Sequence, residues 1–184
     1  MSINGIFAPT GICYAFGHIF DFKRRTAVVR QRLTLVMLVL AMSVTGAAQN
    51  QLPTKQVLTL EAARRVATAA EAEARKNNWA VTIAVLDDSG HLLLFQRMDG
   101  AKLVAIDIAI RKARTAVYFQ GPTKDLEAEV AAGRTALLPI DGFMPLEGGV
   151  PLMSGGKLVG AVGVSGVTGQ QDAQCALAGA AVMK

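Results

Sequence analysis

Cysteine is scarce in this chain of 184 residues, which carries only Cys13 and Cys175. The two fall on opposite sides of the N-terminal leader described below. A processed form therefore has no intramolecular disulfide and no multi-cysteine zinc site. Histidine is equally sparse, with His91 the only imidazole outside the leader. Charged residues make up 18% of the chain and hydrophobic ones 52%, too apolar a balance for disorder, and the length fits one domain. Familiar signatures are missing. Gly155, Gly156 and Lys157 are followed by Leu158, so there is no Walker sequence, and Gly163 to Val167 lacks the closing glycine of a nucleophile elbow. No HExxH, CxxC or GxGxxG occurs.

What charge there is sits unevenly. Lys23, Arg24, Arg25, Arg30 and Arg32 precede residue 49, against one acid, Asp21. The leader thus carries about +4 and the rest about +1, too little for phosphate-backbone binding, so nucleic acid is not an expected partner. After the basic run, Leu33 to Ala48 is uncharged and ends in small residues. That order is the pattern of a secretory signal, shorter than the roughly 20 residues of a bilayer span. The expectation is a leader over 1–48 cleaved near Ala48, a linker over 49–56, and a domain over 57–184 in a periplasmic or secreted protein. No membrane association is expected after cleavage.

Within the domain, Thr59 is placed to cap an amphipathic helix that ends at Asn77 and Asn78. Two apolar strand-like runs from Ala80 and His91 are joined through Asp88, Ser89 and Gly90, predicting a hairpin covered on both sides. Leu103 to Phe119 reads as a helix with an alanine stripe of Ala105, Ala109, Ala113 and Ala116. Asp107, Arg111, Arg114 and Tyr118 lie opposite, toward solvent. Lys112 projects beside the stripe. It must snorkel to an edge, pair with an internal carboxylate or hold an anionic ligand. Thr123 is placed to cap a short helix. Glycine-rich sequence then predicts two strands, with Gly160 and Gly163 marking a close approach, the striped helix being the candidate neighbour. The last helix, from Gln171, is apolar nearly all round, which points to a subunit interface.

Three ordered stretches are specific. They are Arg97 to Ala101 after the hairpin, Ile110 to Ala116 on the striped helix, and Gly148 to Leu152 with Val162 to Gly166, Gln171 and Asp172. Over residues 57 to 184 they resemble the GlcG/HbpS family of small domains, which includes the C-terminal domain of PduO-type proteins. The resemblance implies an α+β fold, a profilin-like α/β/α sandwich on a five-stranded antiparallel sheet, and oligomers, some of them haem-binding. The family-like positions are Met98, Asp99, Lys112, Thr115, Gly148, Gly149, Ser165, Gly166 and Asp172.

Three functions follow as expectations. The first is an exported protein binding haem or another tetrapyrrole, for storage, sensing or detoxification. Its axial metal ligand would be His91, with Met98, Met144 and Met153 as thioether alternatives. Lys112 would pair with a propionate, and Gly148 and Gly149 would admit a flat ligand. The second is an enzyme or accessory factor acting on a small anionic metabolite, with Lys112 and Asp172 at the site. The third is a structural homo-oligomer joined through the C-terminal helix.

Overall fold

The computed structural model describes residues 28–33 and 54–183. The chain divides into two units, Met1–Pro53 and Thr54–Lys184. In the first, residues 28–33 are helical and exposed, while the apolar run and the Ala48 junction lie outside the described residues. Among the described residues no helix is long and apolar enough to cross a membrane.

The second unit opens with α1, Leu60–Lys76. The Thr59 hydroxyl accepts the Ala62 amide at 3.2 Å, which fixes the helix start. Its buried stripe is small: Ala63, Val66, Ala67, Ala70 and Ala74. A hairpin follows, with β1 at Thr82–Asp87 and β2 at Leu92–Arg97. Asp87 Oδ1 accepts the amides of Ser89 and His91, both at 2.9 Å, closing the turn that Gly90 completes at φ +83°. Then come α2, Ala105–Phe119, and α3, Thr123–Ala131. The chain ends in β3, Gly149–Ser154, β4, Lys157–Ser165, and α4, Gly169–Ala180.

Among the described residues the sheet is antiparallel with order β2-β1-β4-β3, four strands and not the five expected from the resemblance. The chain between α3 and β3 carries Pro139 and Pro145 and turns at the positive-φ glycines Gly133 and Gly142. Prolines donate nothing to a ladder. β3 itself is an edge and carries Pro151.

Helices cover both faces. On one, α1 and α4 pack over Ile83, Val85, Leu152, Val162 and Val164. On the other, Ala109, Ala113, Ala116 and Val117 of α2 pack over Ala84, Leu86 and Ala161. Gly163 makes that second layer thin: a Cβ there would lie 2.1 Å from the Ala109 carbonyl oxygen. Gly160 faces the opposite way, toward Leu58 and the Leu86 carbonyl, so the striped helix accounts for only one of the two strand glycines.

One further expectation is revised. The hairpin is covered on both sides only at β1. β2 is the outer edge, and Leu92 and Phe95 remain exposed on it. The apolar α4 is not covered all round within the described residues. Ala173, Cys175, Ala176 and Gly179 face inward, while Leu177 is exposed.

Candidate functional site

The sequence-predicted residues fall into three places. Lys112 and Asp172 are each only 2% exposed. Lys112 Nζ donates to Asp172 Oδ2 at 2.8 Å and to the Val164 carbonyl at 3.0 Å. Of the three fates open to Lys112, pairing with an internal carboxylate is the one observed. Asp172 also accepts the Val167 amide at 3.2 Å. Burial pushes its carboxyl above the ordinary carboxylate range, and the Lys112 ammonium and neighbouring amides pull it part of the way back.

The space that side chains would need at Gly148 and Gly149 is taken by this pair and its helix. A Cβ on Gly148, whose φ is +127°, would stand 2.8 Å from Lys112 Nζ and 2.8 Å from the Val164 carbonyl. One on Gly149 would meet the Lys112 carbonyl at 2.4 Å. The missing side chains leave room for the protein's own atoms. Thr115 is tied up as well, its hydroxyl accepting the Met144 amide at 2.9 Å. The Thr123 hydroxyl does not cap α3. It donates to the Leu146 carbonyl at 2.6 Å and accepts the Gly149 amide at 2.9 Å, pinning the loop to β3. Cys175 is fully buried, and its thiol is pushed up to about 11, chiefly by burial. It packs in the core between α1 and the sheet.

Met98 and Asp99 stand at the far end of the hairpin from His91. Met98 packs half-buried against the first core and Asp99 is exposed. The seven residues separating His91 from Met98 along an extended strand correspond to roughly 23 Å. The two cannot ligate one iron from opposite sides within a single subunit. Met144 is half-buried, and Met153 is exposed on the β3 edge.

The His91 end holds a different arrangement. His91, 82% exposed, borders an open cleft of about 350 Å³ together with Arg111, Arg114, Tyr118 and Asp141. Its Nδ1 lies 3.8 Å from Asp87 Oδ1, the oxygen that orders the turn, and among the described residues Nε2 makes no hydrogen bond. Arg111, Arg114 and Tyr118 occupy one face of α2 at i, i+3 and i+7 and look onto the β1–β2 turn. Arg114 Nε donates to the Gly90 carbonyl at 3.3 Å, and the Tyr118 ring fills the space above Gly90 where a Cβ would be. The sequence placed these three side chains together on a solvent face. It did not show that the hairpin turn would come to stand beside them.

Comparison with known proteins follows the same lines. A family model described as "Haem degrading protein HbpS-like" matches residues 58–181. Protein GlcG of Escherichia coli K12 is 48% identical over 112 residues, 61% of this chain and 84% of that protein. A crystal structure of a double mutant of HbpS from Streptomyces reticuli superposes with a TM-score of 0.68 at 40% identity. It covers 76% of this chain and 96% of that one. A crystal structure of a PduOC:haem complex superposes at 0.64 with 27% identity, over 70% of this chain and 96% of that one.

Proposed function

From the membership of this chain in the HbpS-like family, we propose that it is a haem-binding protein whose axial donor is His91. The observation that carries this reading is the imidazole itself. It is exposed beside a cleft, makes no hydrogen bond through Nε2 among the described residues, and has a carboxylate 3.8 Å from Nδ1. The donor set therefore fits haem, which when bound would supply a redox-active iron. A solved haem complex among the similar structures supports the same ligand class. The reading with Lys112 and Asp172 at a metabolite site has less support, because both side chains are buried and spent on each other.

Hemin added to the purified protein is expected to give a shifted Soret band, and His91→Ala to abolish or displace it. A variant with the wild-type spectrum would move the iron elsewhere, with Tyr118→Phe the next substitution to record.

The chain is proposed to be exported, with cleavage near Ala48, and to assemble as a homo-oligomer using the exposed side of α4 around Leu177. One preparation from an export-competent host tests both. Denatured mass should report loss of residues 1–48, and native mass should report more than one protomer. A full-length mass would refute processing, and a single protomer at tens of micromolar would refute assembly.

A further inference from the structure

Three cations follow one another on α2, and the structure treats them differently. Lys112 has a carboxylate at 2.8 Å. Arg111 and Arg114 have none: among the described residues no carboxylate oxygen lies within 4.0 Å of either guanidinium. Arg111 is exposed, and Arg114 is half-buried with, among the described residues, only the 3.3 Å bond to the Gly90 carbonyl. Asp141 lines the same cleft without forming an ion pair with either.

Like charges one turn apart repel, and holding two of them on one wall without counter-charge favours an anionic occupant. Guanidinium is suited to it, since its planar fork of donors matches a carboxylate two bonds at a time. Tyr118 continues the same helical face, and its ring, laid against Gly90, is a flat wall at the end of the cleft.

We propose that Arg111 and Arg114 form a carboxylate clamp that selects ligands bearing two carboxylates on an otherwise apolar or flat body. The clamp shares the cleft assigned above to haem and rests on that reading for the identity of the body, but not for the anion chemistry. The two sources of such a group are a porphyrin with its propionates and a small free dicarboxylate. On this assignment the anion contact lies on the solvent-facing side of α2, while Lys112 on the inward side has no part in binding.

The test uses four probes with the exported protein: hemin, metal-free protoporphyrin IX, protoporphyrin IX dimethyl ester and glutarate. Porphyrin binding is followed by absorbance and fluorescence, and glutarate binding by calorimetry. Wild type is expected to bind the diacid porphyrin roughly tenfold or more tightly than the diester, as for loss of charge-assisted hydrogen bonds. Arg111→Met and Arg114→Met should each erode that preference, and the double variant should erase it. Lys157→Met, at an exposed lysine that begins β4, should leave it intact. Metal-free porphyrin removes the iron, so His91→Ala should not affect its binding.

If glutarate binds with the same arginine dependence and no porphyrin binds, the clamp stands, its ligand is a small dicarboxylate, and the haem reading falls. If hemin binds but acid and ester bind alike in wild type, or if the double arginine variant keeps the preference, the clamp is refuted and the haem reading survives. Failure of every probe to bind wild type refutes both. Thermal melting of each variant separates lost contacts from lost folding.

Discussion

Lys112→Met is expected to cost about 3–5 kcal/mol of folding stability, the range for removing one partner of a buried pair. The variant leaves the Asp172 carboxylate at 2% exposure with only amide donors such as Val167. Asp172→Asn should cost a comparable amount by stranding the ammonium against the Val164 carbonyl. The double variant, Lys112→Met with Asp172→Asn, should recover most of the loss. It buries no charge, and the asparagine still offers an acceptor to Val167.

The pH dependence has a definite sign. A buried carboxyl with a raised pKa binds its proton more tightly folded than unfolded. Its stability contribution is fully present below the unfolded pKa and is lost as pH rises through the folded value. Burial already pushes Asp172 upward with Lys112 present, and removing the ammonium takes away the chief opposing influence. The Lys112→Met deficit should therefore shrink on acidification and grow toward neutrality. Urea unfolding of the four proteins at pH 5 and pH 7.5 reads this directly. A single-variant loss below about 1 kcal/mol at pH 7.5 would show that the pair is solvated like a surface ion pair.

Lys112 also marks where sequence reading stops. Its helical angle, beside Ala105, Ala109, Ala113 and Ala116, already separates it from Arg111 and Arg114. Periodicity alone detects a charge on the wrong face. It does not name the partner, because Asp172 lies 60 residues away and is brought near only by the β4–α4 connection. The same limit applies to Gly148 and Gly149. Missing side chains signal close approach, and only the folded chain shows that the approaching atoms are Lys112 and its carbonyl.

The hairpin shows a second kind of limit. β1 and β2 have similarly apolar sequences, so both were expected to be covered. Strand order alone puts β1 between two neighbours and β2 at the edge. That edge position leaves the β1–β2 turn, with His91, free to stand beside Arg111, Arg114 and Tyr118. A helical wheel groups the three α2 residues but carries no information about which turn faces them. Of the family stretches only Ile110 to Ala116 reaches this cleft, through Arg111 and Arg114, while the others converge on the buried pair and the opposite end of the sheet.

Gly163→Ala is expected to be the most damaging single-carbon change in the domain, costing about 3 kcal/mol or more, at the top of the range for overpacking a core. The added carbon would lie 2.1 Å from the Ala109 carbonyl oxygen, 2.6 Å from the Ala113 amide nitrogen and 3.0 Å from the Ala113 side chain. Two of these three are backbone atoms of α2, so no rotamer change relieves the overlap and the helix must move off the sheet. Ala113→Gly should therefore fail to rescue it, because the 2.1 Å contact is untouched. Gly121→Ala is the matched control. Its φ is ordinary, the nearest atom is 3.7 Å away, and reduced freedom in the unfolded chain makes it neutral or stabilising by about 0.4–1 kcal/mol. Because Arg111 and Arg114 ride on α2, any Gly163→Ala protein that still folds should also bind the diacid porphyrin more weakly than wild type. An unfolding free energy within about 0.5 kcal/mol of wild type would mean that α2 does not pack on β4 as closely as the Ala109–Gly163 contact requires.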